Sequence, residues 1–274
     1  MTIDHEIADD TTAVPAEDDR PPARERRAAL IRWAAAALVF AAAATGSGFA
    51  LLGADRTDLP GLATAADGRW EYPTIRRPAL PEGAPGPFAE TNPAAVHHAA
   101  LRKLLLPAPR GSAPDPTLRS RDGWVSPGDF ARLFARSEVR DAVPRHLADY
   151  AVRRIAARGW TTPDGTRTQV HLLRFGSAGA AESWRLEHGW RNTGPHHLLR
   201  GVAAVQQEEF PKTARSENVA AHLFTEVEPH GREHTRFAFL EAGDVVALVV
   251  QSRAGGVRDV PFLQTVTLQS QLLG

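Results

Sequence analysis

The sequence contains no cysteine, and this absence excludes several kinds of site. A chain without thiols has no disulfides, no thiolate metal ligands, no cysteine nucleophile and no lipid attachment through a lipobox cysteine. Lysine is nearly absent as well, since only Lys103 and Lys212 occur. Nearly all positive charge is therefore arginine, which together with abundant alanine is typical of a GC-rich coding sequence.

The chain also lacks an excess of charge of either sign. It carries 32 basic and 32 acidic residues, whereas nucleic-acid binding needs a basic surface that displaces counterions. We therefore expect no nucleic-acid partner. The length of 274 residues and the apolar fraction of 43% leave room for one or two domains with a sizeable core.

Sequence motifs of the common catalytic sites are missing. The chain has no H-E-x-x-H, G-x-S-x-G or S-x-x-K motif, no glycine-rich phosphate loop and no EF-hand pattern. The sequence thus predicts no catalytic residue, no cofactor and no metal ligand, and it favours a non-enzymatic protein.

One apolar run stands out, because residues 33–54 contain no charge over 22 positions. As a helix this run would span ~33 Å, against ~30 Å for the hydrocarbon core of a bilayer. Two arginines, Arg56 and Arg69, follow the run within about 20 residues, and five precede it: Arg20, Arg24, Arg26, Arg27 and Arg32. The positive-inside rule then predicts a transmembrane helix at 28–54, with the N-terminus cytoplasmic and the C-terminal part outside.

A cleaved export signal is the alternative to an uncleaved anchor. Gly48-Phe49-Ala50 offers a small-x-small cleavage site after an apolar run of suitable length, and Arg26-Arg27 resembles a twin-arginine motif. The charged region before the run is far longer than in usual signals, which favours the anchor. Secretion after cleavage stays open as the second localisation.

The segments on either side of this run are predicted to be irregular. Residues 1–27 hold eight acids, four arginines and few large apolar side chains, which predicts a disordered cytoplasmic tail. Residues 55–123 are rich in proline, which predicts an extended tether. Within it, Asn92 and Pro93 predict the start of a short helix near 93–106.

The folded domain is predicted at 124–274. Ser126 and Pro127 predict a helix start, and Pro163-Asp164-Gly165 predicts a turn between two strands. Ser177 predicts the cap of another helix, and a second hairpin turning at 241–244 precedes a C-terminal helix that begins at Pro261. This order predicts an α+β fold, an antiparallel sheet of about five to six strands packed with two or three helices.

Two strings carry a resemblance, TPDGTRTQVHLLRFGSAGAAESW and FLEAGDVVALVVQS, together with the glutamine-bearing C-terminal helix. They resemble exported or membrane-anchored actinobacterial proteins and, more loosely, extracytoplasmic sensor-type α+β domains and lipoproteins of that group. The resemblance covers about residues 125–274. It implies an extracytoplasmic location and an α+β fold, and it implies no catalytic residue.

The string EVEPHGREH is the one candidate metal site, with Glu226, Glu228, His230, Glu233 and His234. On a helix, His230 and His234 would share a face and could bind zinc. Pro229 and Gly231 instead favour a loop between strands, in which these side chains diverge. We therefore predict a solvated turn.

The remaining histidines and the tryptophans are predicted to be structural. The neighbours His97-His98 and His196-His197 point in different directions on a helix or a strand, so neither pair chelates an ion by itself. His171 and His222 lie in predicted strands, where packed histidines are more common than catalytic bases. Four tryptophans could line a sugar-binding surface, although core packing is the simpler interpretation: Trp124, Trp160, Trp184 and Trp190.

Three classes of function remain, and the sequence does not identify a ligand. The favoured one is a single-pass membrane protein with a non-enzymatic extracytoplasmic binding or sensing domain. The second is a structural or assembly partner at the cell envelope, and the third is an exported hydrolase with an unfamiliar site. Expected partners are the membrane, through the N-terminal helix, and an envelope protein or small ligand.

Overall fold

The computed structural model of the protein describes residues 33–35, 67–191, 194–229 and 231–274. Residues 66–274 form one compact unit. The predicted tail at 1–27 and the predicted transmembrane helix at 28–54 lie outside the described residues, apart from one helical turn at 33–35. Within the described ranges, no helix combines the length and the hydropathy needed to cross a bilayer.

A seven-stranded antiparallel sheet is the centre of the compact unit. The order across the sheet is β1-β2-β3-β9-β8-β7-β6, and β4 pairs with β5 in a separate ribbon. Strand β9 is the fourth of the seven, as its apolar sequence VVALVVQ predicts for a strand covered on both faces. The strands are β1 Ala113–Pro114, β2 Arg154–Thr161, β3 Arg167–Arg174, β4 Trp190–Arg191, β5 Gly194–Pro195, β6 Val205–Glu208, β7 Ala220–Glu226, β8 Glu233–Ala242 and β9 Val245–Ala254.

Helices cover both faces of the sheet, which confirms the α+β class. The described sheet has seven strands instead of the predicted five to six, and the domain has four α-helices instead of two or three. The α-helices are α1 Pro127–Ala131, α2 Ser137–Asp149, α3 Ala178–Trp184 and α4 Asp259–Leu273. Short 3-10 turns occur at Leu101–Lys103 and Lys212–Ala214, and a π turn at Arg185–Gly189 extends α3. Helix α4 packs on one face with Phe262 and Val266. Helices α1, α2 and α3 pack on the opposite face.

Helix-capping residues and turn residues in the sequence predict most of these helices and strands. The Ser126 hydroxyl accepts a hydrogen bond from the Asp129 amide at 3.0 Å, as expected of a helix cap. Strands β2 and β3 are joined through the predicted Pro163-Asp164-Gly165 turn, and Ser177 caps α3. The second predicted hairpin is β8 and β9. Helix α2 is not predicted, because Pro144 lies inside it and proline normally ends a helix.

The tether prediction is wrong for the described part of residues 55–123. Leu101, Leu104, Leu105 and Leu106 are buried in the core on the α4 face. The predicted helix near 93–106 is reduced to the 3-10 turn, and the domain includes residues well before the predicted start at 124.

Between residues 101 and 106, side chains of the domain form hydrogen bonds with backbone groups that a helix or a strand would otherwise pair. The Gln269 side chain accepts from the Leu106 amide at 2.9 Å and donates to the Leu104 carbonyl at 2.9 Å. A proline-rich segment cannot form regular structure, but its backbone can be buried where side chains supply the missing partners. Proline content alone therefore misplaced the domain boundary.

Candidate functional site

An open cleft of about 820 Å³ lies on the sheet face that carries α1, α2 and α3. Strands β3, β8 and β9 line it, together with α1 and the loops at 117–119 and 199–201. We call it the arginine cleft, since five arginines line it: Arg119, Arg132, Arg167, Arg200 and Arg232. Its volume falls in the range of ligand pockets, about 300–1,000 Å³.

The register of β3, β9 and β8 determines which side chains form the floor of the arginine cleft, the part of the cleft that lies on the sheet. Arg167 lies opposite Ser252, and Gln169 lies opposite Val250. Ser252 in turn lies opposite Thr235 on β8. Because directly opposed residues of antiparallel strands share a face, these side chains form one continuous surface. The sheet thus supplies a rigid base for the site.

Two polar side chains on the floor, Gln169 and His171, form hydrogen bonds, and Gln169 also bonds the buried Asp115, which does not line the cleft. The Gln169 Nε2 donates to Asp115 Oδ2 at 2.6 Å, which leaves its Oε1 facing His171 Nε2 at 3.2 Å. Because that oxygen only accepts, His171 carries its proton on Nε2. The His171 Nδ1 is buried and has no partner among the described residues.

His171 is neutral at physiological pH. Its side chain is 2% exposed, and burial lowers its pKa to about 4, against a weaker opposing effect from Asp115. The ring also packs against Phe130, with centroids 5.7 Å apart. The floor of the arginine cleft therefore presents an uncharged imidazole.

The charge of the arginine cleft is positive. Among the residues that the structure describes, two carboxylates, Asp129 and Glu233, line it beside the five arginines. Asp129 pairs with Arg132 at 3.5 Å, and Glu233 pairs with Arg167 at 2.5 Å. Within the described residues, the other three arginines form no ion pair and no side-chain hydrogen bond: Arg119, Arg200 and Arg232. All three are solvent-exposed.

One wall of the arginine cleft is apolar and fixed by backbone pairing. The Arg200 amide donates to the Leu133 carbonyl at 2.7 Å, and the Ala135 amide donates to the Leu198 carbonyl at 3.0 Å. This pairing sets the segment after α1 beside the 198–201 loop. Leu133 and Leu199 thereby reach the cleft, where Leu118, Val125 and Val250 also lie.

The predicted candidate metal site is dispersed in the structure. His230 lies outside the described residues, and the ring of His234 is bonded on both sides. Its Nδ1 accepts from the Val257 amide at 3.1 Å, and its Nε2 lies 3.2 Å from the Glu226 carbonyl oxygen. Glu233 points instead to Arg167 in the arginine cleft. No group of three or more histidines and carboxylates able to hold a metal ion occurs in the part of the chain that the structure describes.

The two neighbouring histidine pairs differ in arrangement, since the ring centroids of His196 and His197 lie 6.3 Å apart. His97 is buried and contacts Asp244 at 2.7 Å, while its neighbour His98 is exposed. His196 Nε2 lies 3.1 Å from the Leu186 carbonyl oxygen. His197 packs its ring edge-on against Phe134.

The tryptophans do not form a sugar-binding platform. Trp160, Trp184 and Trp190 are at most 2% exposed and belong to the core. Trp124 lies between the guanidinium groups of Arg102 and Arg154, at 5.2 and 5.1 Å from its ring centroid. None of the four lines the arginine cleft, which supports the packing interpretation.

Sequence analysis misses most residues of the arginine cleft. The sequence offers His171 and Glu233 as candidates for other roles, whereas Gln169 and the arginines carry no motif. One signal was present in RTQVHLLR, where polar residues alternate along a strand whose other positions are apolar. Such alternation on a central strand marks a polar patch on an otherwise buried face.

Comparisons with known proteins identify no family for this chain. The chain matches no protein-family model, and no curated protein matches it. It is similar to the extracellular domain of PknH from Mycobacterium tuberculosis with a TM-score of 0.28 and 11% identity, over 47% of this chain and 68% of that chain. A TM-score this low establishes no shared fold. The resemblance to actinobacterial exported proteins stays a prediction.

Proposed function

We propose that the protein is a single-pass membrane protein that presents a non-enzymatic extracytoplasmic binding or sensing domain, with the arginine cleft as its ligand site. The observation that supports this most is the cleft itself. It combines a volume of about 820 Å³, a rigid sheet as its floor, and three arginines without an ion pair among the described residues. Concave sites with a few convergent polar groups are the usual location of small-molecule binding.

The groups in the arginine cleft favour binding over catalysis. A hydrolase of the serine–histidine type would pair a nucleophilic hydroxyl with a histidine base. Here the Ser252 hydroxyl accepts from Arg167 at 3.1 Å, and His171 bonds to Gln169. Among the described residues of the cleft, no hydroxyl is hydrogen-bonded to a histidine.

The buried position of 101–106 removes the main support for an envelope assembly partner. That alternative needed an exposed apolar patch that included the predicted helix near 93–106. Leu101, Leu104 and Leu106 are at most 3% exposed, so their apolar surface is used within the fold. We therefore retain the binding function as the single proposal.

The extracytoplasmic location follows from the uncharged run at 33–54 and the arginines before it. A domain on that side would meet solutes of the cell envelope or the surroundings. Its ligand state could then reach the cytoplasmic tail only through the anchor. This topology supports a sensing role as a special case of binding.

The proposal is tested by ligand-observed NMR on the full chain in lipid nanodiscs, with empty nanodiscs as the blank. The probes are a panel of small acids, amines, sugars and neutral aromatic compounds. We expect at least one class to show saturation transfer that Val250→Trp abolishes. Thr117→Trp, at an exposed position in the cleft, provides a second block if Val250→Trp does not fold. Absence of transfer from every class, or transfer that survives both blocks, would overturn the proposal.

A further inference from the structure

We infer that the arginine cleft binds a small amphiphilic organic acid, a carboxylate or phosphate attached to an apolar body. This inference rests on the proposed function and narrows it to one class of ligand. Four features of the cleft support it: unpaired positive charge, an adjoining apolar wall, a floor without unpaired charge and sufficient room.

Three of the five arginines that line the cleft form no ion pair among the described residues. Arg132 and Arg167 are neutralised by Asp129 and Glu233. The three remaining arginines contact no carboxylate in the part of the chain that the structure describes, although they line the same cleft: Arg119, Arg200 and Arg232. Three cations that face one cavity repel one another, and an anion between them relieves this repulsion.

Arginine favours particular anions. Its planar guanidinium donates two parallel hydrogen bonds to a carboxylate or a phosphate. The three arginines come from separate segments, the loop at 117–119, the loop at 199–201 and the residue before β8. Donors from separate segments can contact different oxygens of the same carboxylate or phosphate.

The apolar wall defines the rest of the ligand. Leu133, Leu199 and Val250 line the cleft beside the arginines. Contact with this wall stabilises an apolar body by about 25 cal/mol for each Å² removed from water. An inorganic anion alone would leave that wall exposed. We therefore assign an organic acid and not free phosphate.

The floor does not compete for the acid group. On the floor, Arg167 is paired with Glu233, His171 is neutral and Gln169 is an amide, so the unpaired positive charge comes from the three exposed arginines. Because the three arginines are exposed, the acid group lies toward solvent, and the apolar body lies along the wall that contains Leu133 and Leu199. The volume of about 820 Å³ accommodates an aromatic acid in this orientation.

Matched probes isolate the acid group. The full chain in phosphatidylcholine nanodiscs is titrated with phenyl phosphate against phenol, and with benzoate against benzamide. Within each pair the apolar body is the same and the charge differs. We expect the acid of each pair to bind at least about tenfold more tightly, because each tenfold corresponds to only about 1.4 kcal/mol.

Charge-matched variants isolate the three arginines. The variant Arg119→Gln, Arg200→Gln and Arg232→Gln removes the unpaired charges of the cleft. The control is Arg76→Gln, Arg121→Gln and Arg145→Gln, which removes three exposed arginines elsewhere and gives the same net charge. We expect phenyl phosphate to lose at least about tenfold in affinity in the first variant and to be unchanged in the control.

The outcomes separate this inference from the proposed function. Phenol or benzamide binding as tightly as the acids, with loss in Val250→Trp, would overturn the acid assignment and keep the cleft as a binding site. Failure of every probe to respond to the cleft blocks would overturn both. Equal losses in the two triple variants would also overturn the assignment, because the effect would be general electrostatics.

A phospholipid headgroup carries the same phosphate chemistry, so one arm tests that source. Phenyl phosphate is titrated again with nanodiscs that contain phosphatidylglycerol. A soluble ligand predicts an affinity within about threefold of the phosphatidylcholine value, since only general charge repulsion changes. Strong competition that depends on Arg119, Arg200 and Arg232 would overturn the soluble source and assign the cleft to a lipid headgroup.

Discussion

His97 Nδ1 lies 2.7 Å from Asp244 Oδ1, in a buried contact that joins two parts of the chain 147 residues apart. The same carboxylate oxygen accepts from the His97 amide at 2.8 Å, and His97 Nε2 lies 2.9 Å from the Leu273 carbonyl oxygen. Asp244 occupies the turn between β8 and β9. The His97 ring therefore connects its own segment with the turn between β8 and β9 and with the end of α4.

Replacing His97 by alanine should destabilise the fold strongly. The change leaves Asp244 buried at 0% exposure with Arg174 Nε as a more distant partner at 3.8 Å. Removing one member of a buried pair typically costs about 3–5 kcal/mol. Denaturant unfolding measures the free energy, and His98→Ala, at the exposed neighbouring position, is the control. A loss below about 1 kcal/mol in His97→Ala would show that the contact is dispensable.

The domain should fold from residue 67 but not from residue 124. A fragment that begins at Trp124 lacks four core leucines, Leu101, Leu104, Leu105 and Leu106. Burial of each contributes about 1.5–3 kcal/mol, and the sum is comparable with the whole stability of a domain, about 5–15 kcal/mol. We expect the 67–274 fragment to melt cooperatively by circular dichroism. Cooperative melting of the 124–274 fragment would contradict this boundary.

The sequence predicts most helices and strands of the domain, but it places the start of the domain too late. The reason is physical. Helix caps and hairpin turns are local signals, so Ser126, Ser177 and Pro163-Asp164-Gly165 identified their elements. The segment before Trp124 depends on distant side chains, since Gln269 satisfies the Leu104 and Leu106 backbone. No pattern in the sequence near Leu104 and Leu106 indicates that Gln269 will bind their backbone.

Stability should fall as the pH is lowered from about 6.5 to about 4, in part through His171. Its pKa is lowered to about 4 in the folded state, against about 6.5 when unfolded. The unfolded chain therefore takes up the proton first, and the folded state loses stability as the pH falls through this window. The difference of about 2.5 pKa units corresponds to about 3 kcal/mol. Burial also lowers the pKa of His188, His197 and His222, with the same sign.

Unfolding free energies at pH 7, 5.5 and 4 check this prediction. In His171→Gln the fall across the window should be smaller than in the parent protein by up to about 3 kcal/mol. The surface control is His98→Gln. An unchanged pH dependence in His171→Gln would show that burial does not suppress protonation of His171.

Zinc should leave the melting temperature unchanged. The His234 ring is engaged by the Val257 amide and lies near the Glu226 carbonyl oxygen, so a zinc ion would have to displace these contacts. A ligand at 100 times its dissociation constant would stabilise the fold by about 2.7 kcal/mol, a shift of several degrees. Tag-free protein is needed, because a tag would bind zinc. A rise that His234→Ala or His230→Ala abolishes would reveal a metal site.

Tertiary pairing explains why the candidate site was harder to predict than the fold. Arg119 and Arg200 lie on loops far apart in sequence, and only the strand register and the 133–135 pairing with 198–200 bring these loops to one cleft. His171 carried a visible clue as a polar residue in a buried strand. Its neutral state depends on burial, against an opposing effect from Asp115, and this burial exists only in the folded structure.

Cysteine labelling in intact cells tests the location and the site together, because the chain has no cysteine of its own. Full-length variants Thr117→Cys in the arginine cleft, Ser120→Cys outside it and Thr12→Cys in the tail are treated with a membrane-impermeant maleimide. We predict that the first two react in intact cells, that Thr12→Cys reacts only after permeabilisation, and that phenyl phosphate slows labelling at Thr117→Cys alone. Labelling of Thr117→Cys and Ser120→Cys only after permeabilisation would contradict the extracytoplasmic location, and equal rates with and without phenyl phosphate would contradict binding in the cleft.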